Sequence, residues 1–171
     1  MVDGRRFARA YEGREGNVPT GARVTVFETT DGEKEIRIGG SPAWRNNNPG
    51  NLRPSRFNKE QIGDAWGYAV FDDYDAGLRA MRDLLGRPLY ARLTLEKAIY
   101  QYAPPSDSNP SHDYAAFVSA RSGVGLDEVL GKIGNARLMQ VIAAMVVFER
   151  SVSGKVRYEA KNGGTALPGS N

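Results

Sequence analysis

Cysteine is absent from this sequence, and histidine occurs once, at His112. Without cysteine there are no disulfides, no thiolate nucleophile and no cysteine-ligated metal site. A single histidine cannot supply the ligand set of a zinc site, and His112 falls in the first turn of a predicted helix, where a surface or capping role is expected. The sequence therefore predicts neither a metal nor another cofactor.

Long hydrophobic runs are missing as well. No stretch approaches the ~18 consecutive apolar residues that a membrane-spanning helix needs. The segment from Met1 to Ala10 also lacks the apolar core of a secretory signal. We therefore expect no membrane insertion, synthesis in the cytoplasm, and secretion by machinery that reads no classical signal peptide.

The sequence also lacks a large excess of positive or negative charge. Lysine and arginine total 23 residues against 20 aspartates and glutamates, which gives a net charge of +3. The basic residues are interleaved with acids along the chain, whereas a nucleic-acid-binding protein usually clusters them. The sequence therefore predicts no nucleic-acid partner, although the small positive surplus suits an anionic polymer such as bacterial cell wall.

The remaining composition is that of a soluble globular domain, with 40% apolar and 25% charged residues over 171 positions. A chain of this length can bury one hydrophobic core. We predict a single domain over residues 1–152, followed by a mobile tail over residues 153–171 that is rich in glycine and polar residues.

The most unusual stretch runs from Trp44 to Arg53 and reads WRNNNPGNLR. It places four asparagines, two arginines and a tryptophan around the turn at Pro49-Gly50. Each asparagine offers an acceptor and two donors, so these side chains either satisfy backbone groups in an irregular loop or hydrogen-bond a polyhydroxylated ligand. Both interpretations stay open. In either case we expect the side chain of Asn47 or Asn51 to bond the backbone near this turn.

The run from Gly39 to Arg53 resembles the WRNNNPGN signature of cell-wall-degrading proteins that phages and type VI secretion systems carry. The resemblance continues through four short segments and one tyrosine further along the chain: Ile62-Gly63, Tyr68–Phe71, Asp75–Ala80, Tyr102–Pro105 and Tyr114. The order of Asn-rich loop, aromatic segment and helix with small residues is also similar to the glucosaminidase branch of the lysozyme superfamily.

This resemblance implies a peptidoglycan glycan-strand hydrolase of the muramidase or N-acetylglucosaminidase type. It also implies an antibacterial type VI secretion effector that acts in the periplasm of a target bacterium, with peptidoglycan and a cognate periplasmic immunity protein as partners. Two alternatives stay open. The protein is either a non-catalytic glycan-binding or phage structural module, or a phage-type lytic transglycosylase.

The predicted fold is α+β and mainly helical, in the lysozyme-like layout of one β-hairpin and about five helices. Residues 3–12 are expected to form a short helix, because apolar residues recur there at helical spacing. Gly77 inside a later helix indicates a close helix contact. The further predicted helices run from a cap at Asp72 or Asp73 to about Leu85, from a cap at Thr94 to Tyr102, from Ser111 over Val118, around residues 126–133, and from Asn135 over Phe148. The segment from Ala22 to Gly39 alternates like a hairpin, with Asp31-Gly32 as its two loop residues. This register places Glu28 opposite Glu35.

A glycosidase needs a carboxylic acid that protonates the leaving oxygen, and usually a second carboxylate. In the glucosaminidase-like relatives the acid precedes the Asn-containing loop, a position that Glu28 matches. A neighbouring Glu35 would raise the pKa of one member of the pair. Asp64 is the reserve candidate for holding a water, and Glu12 is a further alternative for the acid.

The same resemblance gives a set of substrate-binding candidates. Aromatic rings can stack on sugar faces and amides can bond hydroxyl and acetamide groups, although each of these residue types also serves in cores and loops. The predicted set is Trp44, Arg45, Asn47, Asn48, Asn51, Trp66 and Tyr102.

Overall fold

The computed structural model describes residues 7–14, 21–161 and 165–166. The chain divides into two compact units. Unit 1 comprises Met1–Gly77 and Ser151–Asn171, and unit 2 comprises Leu78–Arg150. Unit 1 is therefore assembled from two segments of the chain, with unit 2 inserted between them.

Unit 1 is built on a mixed β-sheet of seven strands. The strands are β1 (Phe7–Glu12), β2 (Val24–Thr29), β3 (Lys34–Ile38), β4 (Gln61–Ala65), β5 (Tyr68–Phe71), β6 (Lys155–Glu159) and the two-residue β7 (Thr165–Ala166). Their order across the sheet is β5-β4-β1-β2-β3-β6-β7. The β1/β4 pair is parallel and every other pair is antiparallel.

The prediction of a mainly helical, lysozyme-like fold with one hairpin is wrong, because a seven-stranded sheet organises unit 1. The predicted helix over residues 3–12 is wrong where the structure describes it, since Phe7–Glu12 is strand β1. The register of β1 on β2 shifts between Phe7 and Arg9. Such a bulge lets Phe7 and Ala10 face one core although they are three positions apart, a spacing that mimics a helix.

The hairpin of β2 and β3 exists, but its predicted register is wrong by one residue. Phe27 pairs with Glu35, and Glu28 pairs with Lys34. The loop has three residues, because the Thr29 amide donates to the Glu33 carbonyl at 2.9 Å. Because successive strand residues point to opposite faces, a shift of one position moves Glu28 and Glu35 to opposite faces of the sheet.

Strands β4 and β6 are the other elements that sequence patterns did not indicate. Gly63 lies in the middle of β4, where an added Cβ would overlap the carbonyl oxygen of Ala10. Glycine in a strand often marks such a close backbone approach. Strand β6, within the predicted tail, lies against β3 with Ile38 opposite Lys155.

Helix α1 (Pro42–Arg45) follows β3, and Ser41 caps it by accepting from the Trp44 amide. Helix α2 (Tyr74–Leu85) begins in unit 1 after Asp73, whose carboxylate accepts from the Ala76 amide at 2.7 Å. The predicted helix over this segment is confirmed.

Unit 2 is helical. It contains α3 (Pro88–Ala91), α4 (Leu95–Tyr102), α5 (Ser111–Ser122) and α6 (Gly134–Glu149). The predicted cap of α4 is confirmed, because the Thr94 hydroxyl accepts from the Lys97 amide. The helix expected around residues 126–133 is reduced to a short 3₁₀ turn over Leu130–Lys132.

The core of unit 2 is formed by apolar side chains from each of its longer helices. Its fully buried members include Leu95, Ile99, Val118, Val141 and Met145. Among the helices of the described residues, none combines the length and the apolar character needed to cross a bilayer.

Candidate functional site

Asn48 closes the Pro49-Gly50 turn from within the protein. Its side-chain NH₂ donates to the carbonyls of Leu52 and Ala69, both at 2.9 Å, and its Oδ1 accepts from the Leu52 amide at 2.8 Å. The side chain has no exposed surface. Asn48 therefore bonds the backbone near the turn, a role that the sequence predicted for Asn47 or Asn51.

The two preceding asparagines are buried in the same way. Asn46 accepts from the Thr25 hydroxyl at 2.8 Å and donates to the Ala65 carbonyl at 3.2 Å. Asn47 donates to the carbonyls of Phe71 and Asp72 at 3.1 and 2.9 Å. These amides join the loop to the ends of β4 and β5, so their hydrogen-bonding capacity is directed into the protein.

Glu35 belongs to this buried network. Its carboxylate accepts from Arg37 Nε at 2.6 Å, and Arg37 Nη1 donates to the Trp44 carbonyl and to Asn47 Oδ1 at 2.8 and 2.7 Å. The Arg37 guanidinium also lies over the Phe27 ring, 4.5 Å from its centroid. Glu35 is only 3% exposed, so it faces the Asn-rich loop through Arg37 without reaching solvent.

Glu28 lies on the opposite face of the sheet. It accepts from Arg9 Nη2 at 2.7 Å and from the Tyr11 hydroxyl at 2.9 Å. The hydrogen bond from Arg9 lowers the pKa of Glu28 more strongly than partial burial raises it, and the Tyr11 bond lowers it further. A carboxylate held ionised in this way is poorly suited to deliver a proton.

The hairpin that joins β4 to β5 has a two-residue loop, Trp66-Gly67, because Ala65 pairs with Tyr68. Trp66 has φ +57° and Gly67 has φ +80°. Positive φ at both positions is the geometry of a type I′ turn. A bulky residue such as tryptophan rarely occupies this region, so Trp66 holds a strained conformation.

Two hydrogen bonds keep Trp66 in place. Its amide donates to Glu12 Oε1 at 2.6 Å, and its indole Nε1 donates to the Val24 carbonyl at 2.8 Å. The ring itself is half-buried. Glu12, the alternative acid, is therefore an exposed residue whose carboxylate is bonded to the backbone of the hairpin loop.

Two exposed arginines flank the aromatic rings of this hairpin. The guanidinium carbon of Arg23 is 5.6 Å from the Trp66 ring centroid, and that of Arg53 is 5.0 Å from the Tyr68 ring centroid. Arg53 Nη1 also donates to the Gly67 carbonyl at 3.3 Å. We call Glu12, Arg23, Arg53, Trp66, Gly67 and Tyr68 together the tip cluster.

The other predicted site residues are not members of the tip cluster. Asp64 is exposed on β4, and Trp44 lies half-buried beneath the Arg37 guanidinium, 5.5 Å away. Asn51 adopts a left-handed conformation with φ +50°. Tyr102 belongs to unit 2, where it meets the edge of Tyr114, with ring centroids 6.5 Å apart.

Arg45 is the largest fully buried side chain of the described residues, at 2% exposure. Its Nη1 donates to the carbonyls of Gly39 and Gly40, each at 2.9 Å. Its Nε and Nη2 have no hydrogen-bond partner among the described residues. Burial lowers the pKa of the Arg45 guanidinium, and the nearby charge of Arg23 lowers it further.

Sequence patterns indicated Trp66 but not its neighbours Arg23 and Arg53. These arginines lie 30 positions apart in the chain and carry no local pattern of their own. The signal that could have indicated the hairpin was the Trp66-Gly67 pair between two short strand patterns. A two-residue hairpin loop rarely contains tryptophan. In the part of the chain that the structure describes, no group of acidic and histidine side chains has an arrangement that could hold a metal ion.

The chain matches no model of a known protein family, and no curated protein is similar to it.

Proposed function

We propose that this protein binds the glycan strands of bacterial peptidoglycan, and that the tip cluster is the surface that contacts the sugars. The observation that carries the proposal is the conformation of Trp66. Its backbone holds φ +57°, and its ring stays half-exposed beside Tyr68. Strain of this kind costs of order 1–3 kcal/mol and concentrates at functional sites.

The chemistry of the tip cluster suits a sugar. Aromatic rings offer apolar surface to the C–H groups of a pyranose, while nearby polar groups bond its hydroxyls. Trp66 and Tyr68 supply the exposed ring surface, the Arg23 and Arg53 guanidinium groups over these rings supply donors, and the Glu12 carboxylate at the Trp66 amide supplies an acceptor. The Asn-rich loop contributes by holding β5 in place, because Asn48 donates to the Ala69 carbonyl.

The test uses the fact that the chain has only two tryptophans. Trp44→Phe leaves Trp66 as the only tryptophan, so under excitation selective for tryptophan, titration with an N-acetylglucosamine oligomer should change its emission in a saturable way. Co-sedimentation with purified sacculi should retain this variant. Trp66→Asn, which places at this position a residue that tolerates positive φ, should no longer co-sediment with sacculi. Retention of Trp66→Asn on sacculi at the level of the unmodified protein would overturn the proposal.

Cleavage of the bound glycan is the second candidate function, and the position of Glu12 favours it. Glu12 is an exposed carboxylate that accepts from the Trp66 amide within the tip cluster, whereas Glu28 is ion-paired and Glu35 is buried. On N-acetylated sugars one acid can suffice, because the substrate's acetamide can act as the nucleophile. Mass spectrometry of digested sacculi should show soluble muropeptides, lost in Glu12→Gln and kept in Glu28→Gln. Digests in which Glu12→Gln performs like the unmodified protein would remove this candidate.

We further propose that the protein is delivered to the periplasm of a competing bacterium and that a cognate immunity protein binds it. The resemblance of the Trp44–Arg53 motif to effector sequences supports this part of the proposal. Expression with an export signal in a susceptible bacterium should cause lysis if the protein cleaves the wall. Co-expression of a neighbouring periplasmic protein should relieve it. Absence of lysis in a strain that secretes the protein would leave wall binding as the activity.

A further inference from the structure

The tip cluster carries more positive charge than sugar binding requires. Arg23 and Arg53 are both exposed, and each lies over an aromatic ring of the hairpin. Stacking on a ring face orients a guanidinium and leaves its N–H edge available to an acceptor. Two arginines therefore flank the surface that the proposed sugar would occupy.

Arg45 adds a third positive charge behind this surface. It is 2% exposed, and its Nε and Nη2 have no partner among the described residues. A buried charge without a counter-ion destabilises a protein strongly, by several kcal/mol in general. The nearby Arg23 makes the position less favourable, because like charges repel.

Two carboxylates, Glu12 on β1 and Asp64 on β4, offset these positive charges only in part. Glu12 Oε1 accepts from the Trp66 amide, and Asp64 is exposed on the face of β4 opposite that of Ala65. Among the described residues neither carboxylate forms a salt bridge with the three arginines. The three guanidinium charges therefore exceed the two carboxylate charges by one.

We propose that Arg23 and Arg53, backed by the buried charge of Arg45, select glycans that bear a carboxylate over neutral glycans. This inference rests on the proposed glycan-binding function. A guanidinium offers paired donors that match a carboxylate, which makes such contacts strong and directional. In peptidoglycan the lactyl carboxyl of N-acetylmuramic acid is amide-linked to the stem peptide and is a free carboxylate only where that peptide has been removed, so the selected substrate class is a peptide-free, muramic-acid-containing strand.

Two disaccharides test the inference, because they differ by this group. One is N-acetylglucosaminyl-N-acetylmuramic acid, and the other is the neutral N-acetylglucosamine dimer. Calorimetric titration at low ionic strength should show about tenfold tighter binding of the acidic disaccharide, the ratio that one charge-assisted contact gives. High salt should reduce this ratio, because exposed charges are screened.

Arginine variants then locate the preference. Arg23→Gln and Arg53→Gln should each lower the ratio, and the double variant should bring it near one. Because the ratio compares two ligands on the same variant, any loss of affinity that both ligands share cancels. Arg157→Gln is the matched control, since it removes the same charge from β6, which lies four strands from β4 in the sheet. This control should keep the full preference.

The outcomes separate the two levels of the proposal. Equal affinity of the two disaccharides in the unmodified protein, or a preference that survives the double variant, would overturn the arginine inference and leave glycan binding intact. Binding of neither disaccharide would overturn the proposed function itself. Loss of both ligands in the double variant, with an unchanged melting temperature, would assign the arginines to general sugar binding and would also overturn the selectivity.

Discussion

The Asn-rich loop and the tip cluster use polar side chains in opposite ways. In the loop, Asn46, Asn47 and Asn48 are buried and bonded to backbone carbonyls of neighbouring segments. In the tip cluster, Arg23 and Arg53 are exposed. The loop therefore stabilises the fold, while the tip cluster presents its groups to solvent.

This difference teaches that a conspicuous motif need not be the contact surface. Asparagine amides are effective at satisfying backbone groups where the chain is irregular and buried, because an unbonded carbonyl there is costly. A motif can thus accompany a function because it supports the contact surface, even when its own side chains do not touch the ligand. The loop fixes the outer side of β5, and β5 begins at Tyr68 in the tip cluster.

The largest expected effect is that of Asn48→Ala on stability. It removes three hydrogen bonds from a side chain with no exposed surface. Leaving buried carbonyls and an amide unpaired should cost about 3 kcal/mol of the free energy of unfolding. Chemical denaturation measures this, with Asn135→Ala as an exposed control that should change little. A loss below about 1 kcal/mol would contradict the structural role of the loop.

Gly77→Ala should have the next largest effect. Gly77 in α2 touches the loop, where an added Cβ would overlap the Asn47 carbonyl oxygen and lie 2.6 Å from Pro49 Cδ. This confirms the close contact that a glycine inside a helix suggests. We expect a loss of about 2 kcal/mol from overpacking. Gly86→Ala, whose nearest atom is 3.3 Å away, is the control and should be tolerated better. Equal effects of the two substitutions would argue against tight packing at the loop.

Trp66→Asn should change stability by about 1 kcal/mol or less, although it removes ligand binding. The substitution relieves the cost of a bulky residue at positive φ, which offsets most of what it loses. The losses are the indole bond to the Val24 carbonyl and the packing of the half-buried ring on the core cluster that contains Phe27 and Val70. Thermal unfolding and sacculus binding should therefore respond differently. A loss as large as that of Asn48→Ala would place Trp66 among the structural residues and end the contrast between the two regions.

The smallest effect is expected for Glu28→Gln, which belongs to neither region. Its partner Arg9 is 65% exposed, so the pair should contribute about 1 kcal/mol at most. Because folding lowers the pKa of Glu28 below its ordinary 4.5, the contribution is complete above that pH and is lost as the pH falls through the lowered value. Denaturation from pH 7 down to pH 3 should show the variant and the unmodified protein converging. A difference that grows on acidification would contradict the ion pair.

Much of unit 2 and the start of α2 could be predicted from sequence, because those signals are local. Thr94 and Asp73 are N-terminal capping residues with a defined chemistry, and apolar spacing marks the buried faces of α4, α5 and α6. The sheet could be predicted only in part. Phe7 and Ala10 have helical spacing because a bulge in β1 turns both toward the core. Strand β6 has no clear strand pattern of its own and is defined by its pairing with β3.

The candidate site was harder to predict than the fold for a related reason. Trp66 is visible as an unusual residue, but its conformation depends on Glu12, which is 54 positions away. The functional assignment of Glu28 and Glu35 depended on a register, and a one-residue shift separates them onto two faces. The conformation of Trp66 and the faces of Glu28 and Glu35 are fixed by contacts between distant parts of the chain. No local sequence pattern encodes those contacts.

The insertion of unit 2 between the two segments of unit 1 has a consequence for synthesis on the ribosome. Strands β1 to β5 and the whole of unit 2 emerge before Lys155–Glu159, so β3 has no partner on that side until this later segment has been synthesised. An unpaired strand edge is a template for association with other chains. The nascent protein must therefore keep the β3 edge from pairing with another molecule during this interval, and a chain that stops after Arg150 would leave the edge open permanently.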